Sequence, residues 1–226
     1  METNMSDVSE ASLRPTAFID SDEPSVVAFA AAHAGEGSDR ERAVRLYYAV
    51  RDHVRYDMFT FGLDRDQFVA SQCLASPAAF CVPKAVALAA VARAAGIPAR
   101  VGFADVRNHL TSPRINAMMD DDVFRWHAYT SLYIDGKWVK ATPAFDLKLC
   151  ERHKVMPLEF DGIEDSIFHP FDATGRQHME YVRFIGEFDD LPFEEFAAEM
   201  RAAYPRMLDE LERERTERKA NRPRTA

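Results

Sequence analysis

Ser76-Pro77-Ala78-Ala79-Phe80-Cys81-Val82-Pro83-Lys84, continuing as AVALAAVARAAGIPARVGFADV to Val106, places one cysteine at the mouth of an apolar helix. Pro83 suits a first helical turn, where its missing N–H would have no partner in any case. Gly96 with Pro98 behind it stops the helix. Between Ala85 and Ala95 only Arg93 is charged, so the helix reads as buried nearly all round. A strand is expected from near Arg100 to Val106. A thiol at such a helix start feels unpaired N–H groups and the positive end of the dipole, which favour the thiolate. This stretch alone leaves two readings open. Cys81 is a nucleophile, or it is a small buried hydrophobe, as free cysteines commonly are.

Further along, Trp126-His127-Ala128-Tyr129-Thr130-Ser131-Leu132-Tyr133-Ile134 and Lys137-Trp138-Val139-Lys140-Ala141-Thr142 flank Asp135-Gly136. A two-residue Asp-Gly loop favours a type I′ turn and sets the hairpin register. Ile134 then faces Lys137, Tyr129 faces Thr142 and His127 faces Ala144, with Pro143 unable to donate to the ladder. On that register Thr142 and Asp146 both lie diagonally across from His127. Asp146 offers the imidazole a carboxylate; Thr142 offers a hydroxyl. His109, after the strand end, is a rival base.

The remaining segments read as scaffold. Residues 1–17 are polar and without periodicity, and are expected to be disordered. Ser21 or Asp22 caps a helix with Pro24 in its first turn, ending at Gly35-Glu36-Gly37. Ser38 and Glu41 form a capping-box pattern ahead of a helix to about Val54, with Val44, Tyr47, Tyr48 and Val50 for packing. Tyr56–Ala75 has weak periodicity and is expected to cross the surface. Residues 107–122 form a long connection whose Asp120-Asp121-Asp122 reads as a solvated acidic loop, because the spacing lacks the alternating ligands of a calcium site. His169 and His178 lie in an aromatic and polar stretch without a metal-ligand spacing. From Pro192, Phe193, Phe196, Ala197, Met200, Tyr204, Leu208 and Leu211 recur at helical spacing, broken or kinked at Pro205, with no sign of an active site. Residues 212–226 are expected to be a charged, frayed tail, leaving 18–211 as a single domain.

The 226 residues carry a net charge of -9 and a pI near 5.3. That balance argues against nucleic acid or an anionic membrane as partner, leaving a peptide, protein or small amide. Three cysteines, at 73, 81 and 150, make neither a disulfide framework nor a zinc pair. With no secretory signal and no membrane span in the sequence, a cytoplasmic location is expected.

The order of cysteine at a helix start, GIPAR turn into a strand, and histidine opening a hairpin strand resembles the transglutaminase-like superfamily. The similarity runs from about Arg42 to Asp146 and is strongest in AVARAAGIPARVGF and WHAYTSLYIDGKWVKATP. The resemblance implies an α+β, papain-like core: N-terminal helices, a buried helix carrying the cysteine against an antiparallel sheet, and a C-terminal helical extension. It implies a Cys-His-Asp triad with Cys81 as nucleophile, His127 as base and no cofactor or metal. The family carries aspartate directly before Pro-Thr after the tryptophan strand, whereas this chain has Thr142-Pro143-Ala144, so Asp146 is the expected replacement. Phe80 is a second departure, since a glycine commonly precedes the family cysteine. The expected activity is acyl transfer through a Cys81 thioester, with hydrolysis favoured over transamidation. The alternative is a peptide- or ligand-binding module with little catalysis.

Overall fold

A computed structural model of the chain describes residues 9–108, 113–167 and 179–220. Helix α1 (Pro24–Ala34) has Pro24 at its first position and closes on Gly35, whose φ is 64°. Helix α2 (Asp39–His53) starts with a reciprocal capping box. The Glu41 N–H donates to Ser38 Oγ at 3.3 Å and the Ser38 N–H to Glu41 Oε2 at 2.8 Å. Strand β1 (Arg55–Tyr56), two short 3₁₀ turns, helix α3 (Ala70–Ala75) and strand β2 (Ala78–Ala79) follow, and β2 pairs in parallel with β1. The expected surface crossing over Tyr56–Ala75 is corrected here: Phe61, Phe68, Ala70 and Cys73 are buried. Residues that fill a core from successive turns share no single period, so they leave no periodic signal in the sequence.

Helix α4 (Cys81–Ala94) is buried at every residue from Cys81 to Arg93. It ends in a Schellman arrangement, with Gly96 N–H donating to Arg93 O at 2.8 Å, Ile97 N–H to Ala92 O at 2.9 Å, and Gly96 at a φ of 79° that glycine tolerates. Arg93 is buried because its guanidinium donates to the carbonyls of Ala99, Arg14 and Asp189. That contact ties down part of the N-terminal segment, in which Ser12 is also buried in a 3₁₀ turn at Glu10–Ser12. The expectation of disorder for residues 1–17 therefore does not extend to residues 9–17; residues 1–8 lie outside the described ones.

Strand β3 (Ala99–Asn108), helix α5 (Pro113–Met118), strand β4 (Val123–Ile134), strand β5 (Lys137–Ala141), helix α6 (Leu147–His153) and strand β6 (Met179–Phe188) come next, and the sheet order is β5-β4-β3-β6, antiparallel throughout. Helices α7 (Phe193–Ala203) and α8 (Pro205–Ala220) finish the described chain, separated at Pro205. Helix α8 continues to Ala220, into the segment expected to fray from Glu212; residues 221–226 lie outside the described ones. The β4–β5 register is the expected one from Thr130↔Ala141 to Ile134↔Lys137, with Asp135 and Gly136 both at positive φ as a type I′ turn requires. Pairing stops at Ala141. The Thr142 N–H donates instead to Ser166 O at 3.0 Å, and the chain leaves the ladder before Pro143.

Sheet and helices meet on α4, which packs against β3 and β4 on one side and α1, α2 and α3 on the other. Thr130 Oγ1 donates to the Ala85 carbonyl at 2.8 Å and fixes β4 along the helix. Strand β6 was not legible, because its pairing with β3 shifts register twice and the shifts erase the alternation by which a strand is recognised. Among the described residues no helix is long and apolar enough to cross a membrane.

Lys84, one turn into α4, is fully buried. Its ammonium donates to the carbonyls of Arg51, at 2.8 Å, and Val54, satisfying groups that the end of α2 leaves open. Burial pushes Lys84 down to about 8 from 10.5, with Cys73, Asp146 and Asp52 opposing. The unfolded chain therefore binds more protons than the native one between pH 8 and 10.5, and this group makes stability rise with pH across that window. Lys84→Ala strands two buried carbonyls and opens a cavity, so it is expected to destabilise by about 3 kcal/mol. In urea unfolding, that deficit should widen from pH 8 to 10.5; a deficit flat with pH would show that Lys84 does not titrate in the fold.

Candidate active site

Phe80 is the N-cap of α4, in extended conformation and without a side-chain cap bond. A serine or aspartate there would occupy first-turn N–H groups; a phenylalanine leaves them available. The backbone N–H groups of Val82 and Cys81, and of Ala128 in β4, act on the Cys81 thiol and favour its charged form. Thr130 pins β4 at Ala85, and one turn back along the helix and two residues back along the strand Cys81 meets Ala128. The Ala128 backbone also acts on the His127 ring, favouring its charged form. Cys81 and His127 thus approach the same residue of β4 and line one cavity.

That cavity measures about 40 Å³ as the space open to the centre of a water molecule. Its floor is Cys81, Val82 and Phe80; Tyr56, Met58 and Phe61 form one wall, and Phe124, Arg125, Trp126 and His127 the other. The roof is Phe196, Met200, Tyr204 and Met207 from α7, α8 and their junction. The reading that the C-terminal run bears no relation to an active site is corrected by this placement. Its apolar positions at helical spacing signalled only a buried face, and nothing in that spacing says what the face covers. Tyr204 fastens the roof: its hydroxyl accepts from the Arg125 N–H at 2.6 Å and donates to Val123 O at 2.8 Å. Around the rim, Arg206 pairs with Asp120, Arg114 with Glu214, and Arg215 donates to Phe61 O. Asp121 and Asp122, the other acids of the expected solvated loop, pair with Arg125 and Arg107.

Enclosure sets the protonation states. Burial pushes the Cys81 thiol up to about 11, against the lowering effect of its backbone bonds. Burial likewise pushes His127 down to about 3, with the Ala128 backbone bond working the other way. In this closed arrangement both groups are neutral at physiological pH, because the cost of desolvating a charge exceeds what the helix start returns. Acid also opposes the fold: between pH 6.5 and about 3 an unfolded histidine takes up a proton that buried His127 refuses, so this group's contribution to stability falls as the pH drops.

Asp146 does not line the cavity. It is the N-cap of α6, with Oδ1 accepting from the Leu149 N–H at 3.0 Å and Oδ2 from the Tyr56 N–H at 2.7 Å. Its expected place diagonal to His127 presumed that the strand persists past Thr142, and the ladder ends at Ala141. Asp146 reaches the cavity only through Tyr56, whose backbone it holds. Thr142 is buried and also outside the lining. His109, His169 and His178 lie outside the described residues. Among the described residues no group of His, Cys, Asp and Glu is arranged to hold a metal. Beyond Phe80, which belongs to both, a second and more open depression of about 410 Å³ is lined by Thr60, Asp66, Gln67, Gln72 and Ser76.

A buried helix that presents a cysteine to a histidine-bearing strand of an antiparallel sheet defines an α+β, papain-like fold. The chain belongs to the transglutaminase-like superfamily, whose core-domain model matches residues 27–143. The match includes Cys81 and His127 and stops short of Asp146, β6 and both roof helices. Among solved structures, the crystal structure of a candidate cysteine protease from Cytophaga hutchinsonii is similar at a TM-score of 0.44 and 22% identity, over 58% of this chain and 40% of that one. The chain thus spans well under half the length of that protein. No curated protein matches.

The closed roof predicts slow alkylation of Cys81 by iodoacetamide at pH 7, with a rate that climbs toward pH 11. Met207→Ala with Leu211→Ala, which removes buried apolar contacts of α8, should raise the pH 7 rate at least tenfold. Peptide mapping separates Cys81 from Cys73 and Cys150. An unchanged rate in a folded double variant would show that the roof does not limit access.

Proposed function

We propose that the chain is a thiol-dependent acyl-transfer enzyme acting on an amide or related acyl group. The observation that carries this is that Cys81 and His127 line one cavity, at a helix start whose N–H groups are not spent on a cap. His127 takes the thiol proton as Cys81 attacks the acyl carbon, because both groups rest in the neutral form. The Cys81 N–H, at the start of α4, is the donor offered to the negative charge that develops on the acyl oxygen. The imidazolium returns its proton to the leaving amine, a thioester forms on Cys81, and water or a second amine resolves it.

We favour hydrolysis, because the apolar roof of Phe196, Met200 and Met207 offers a second amine substrate no polar partner, whereas water needs no such site. The open depression beyond Phe80, with Asp66, Gln67 and Gln72 in its lining, is where we place the bulk of a peptide, protein or small-amide substrate. The charge of -9 disfavours polyanionic partners. A second reading, a binding module with little catalysis, is favoured by one observation: both Asp146 oxygens are committed to backbone N–H groups away from His127.

A panel of peptide and small amides, offered with and without a primary amine, decides between the two. Cys81→Ala and His127→Ala should each lower turnover by about a thousandfold, and wild type should carry an acyl adduct on Cys81 by mass spectrometry. Amide or ester turnover that survives Cys81→Ala at the wild-type rate would sink the enzymatic assignment.

A further inference from the structure

We propose that Asp105 is a positioning residue that sets His127 in place through the backbone of Trp126; this rests on the reading of His127 as the base. The β3–β4 register runs Ala104↔His127 and then Val106↔Phe124. Strand β4 therefore carries one residue more than β3 between those pairs, a β-bulge at Arg125–Trp126 directly ahead of His127. Trp126 stands at a φ of 55°, a left-handed conformation that a bulky aromatic adopts only when its surroundings enforce it.

Two sets of contacts enforce it. The Trp126 ring is buried against Phe103, Phe188 and Phe196, with centroids 5.0, 6.5 and 5.9 Å away. The Trp126 N–H, turned off the ladder by the bulge, donates to Asp105 Oδ1 at 3.1 Å. Asp105 is only 6% exposed, so this is a charge-assisted bond screened from water. Its other oxygen accepts from Arg183 of β6, from Nε at 3.0 Å and Nη2 at 3.0 Å. Arg183 is largely exposed and aligns the carboxylate more than it strengthens it. The brace therefore spans three strands, and its product is the side on which β4 re-enters the ladder at His127. Without the extra residue the pairing slips by one, and alternate side chains of β4 exchange faces. Asp105 is not among the residues that line the cavity.

The experiment uses the full chain. Cys81 alkylation by iodoacetamide is followed from pH 5 to 10 in wild type, His127→Ala, Asp105→Ala and Asp105→Asn, with the His127 ring signals recorded by NMR. Asparagine keeps an acceptor for the Trp126 N–H; alanine does not. The alanine variant should adopt the pH–rate profile of His127→Ala, differ from wild type at least tenfold at pH 7, and displace the His127 signals. The asparagine variant should stay within about threefold of wild type. Asp105→Ser, polar but too short to reach the N–H, takes the place of alanine if that variant does not fold. A folded alanine or serine variant with wild-type profile and ring signals overturns the proposal, as does an asparagine variant as impaired as alanine. A His127→Ala profile identical to wild type refutes His127 as base, and the ring signals of the Asp105 variants then decide the brace independently.

Discussion

The burial of α4 on all sides is the constraint from which the rest of the molecule follows. A helix apolar round its whole circumference cannot face water, so it needs a sheet on one flank and helices on the other. Strands β3 and β4 supply the first and α1, α2 and α3 the second. Once the helix is central, only its ends reach other chemistry. Its C-terminal end turns directly into β3, and its N-terminal end, carrying Cys81, meets β4 at Ala128. The position of the candidate site is thus a consequence of how the core is filled.

The same burial sets a contest at the sulfur. The backbone N–H groups around Cys81 favour a thiolate, yet desolvation prevails and burial pushes the thiol up to about 11. His127 loses its proton for the same reason. The neutral pair belongs to the roofed state, because water admitted under α7 and α8 would remove the dominant cause of both shifts. Chemistry and access are therefore coupled through the C-terminal helices, which lie outside the span that matches the family.

How much was legible varied with how local the governing interaction is. The capping box at Ser38 and Glu41, the stop at Gly96 and the Asp135-Gly136 turn depend on residues within a few positions of one another, and each appears as read. The register of the hairpin followed from its turn, so His127 could be placed on its strand. Its continuation could not, because the Thr142 N–H goes to Ser166, a partner 24 residues downstream. Asp146 was misplaced for that reason: an aspartate suited to orienting a ring is equally suited to capping α6, and only the end of the ladder chooses between the two. Asp105 passed unremarked within a strand, since nothing marks an acid as bound to a bulge before the bulge is known.

Taken by itself, the sequence determined the central helix with its cysteine and the hairpin with its histidine, because propensity, periodicity and turn chemistry act over short separations; the class of fold was implied by the order of these motifs, which resembles the transglutaminase-like superfamily. Only the tertiary structure decided that Lys84 is buried beneath the end of α2, that Asp105 holds the turn into His127, and that Phe196, Met200, Tyr204 and Met207 close over Cys81. Each of these joins residues from 21 to more than 100 positions apart. What selects them is the filling of one core and the pairing of buried polar groups, constraints that apply to the folded molecule as a whole and leave no local mark on the chain.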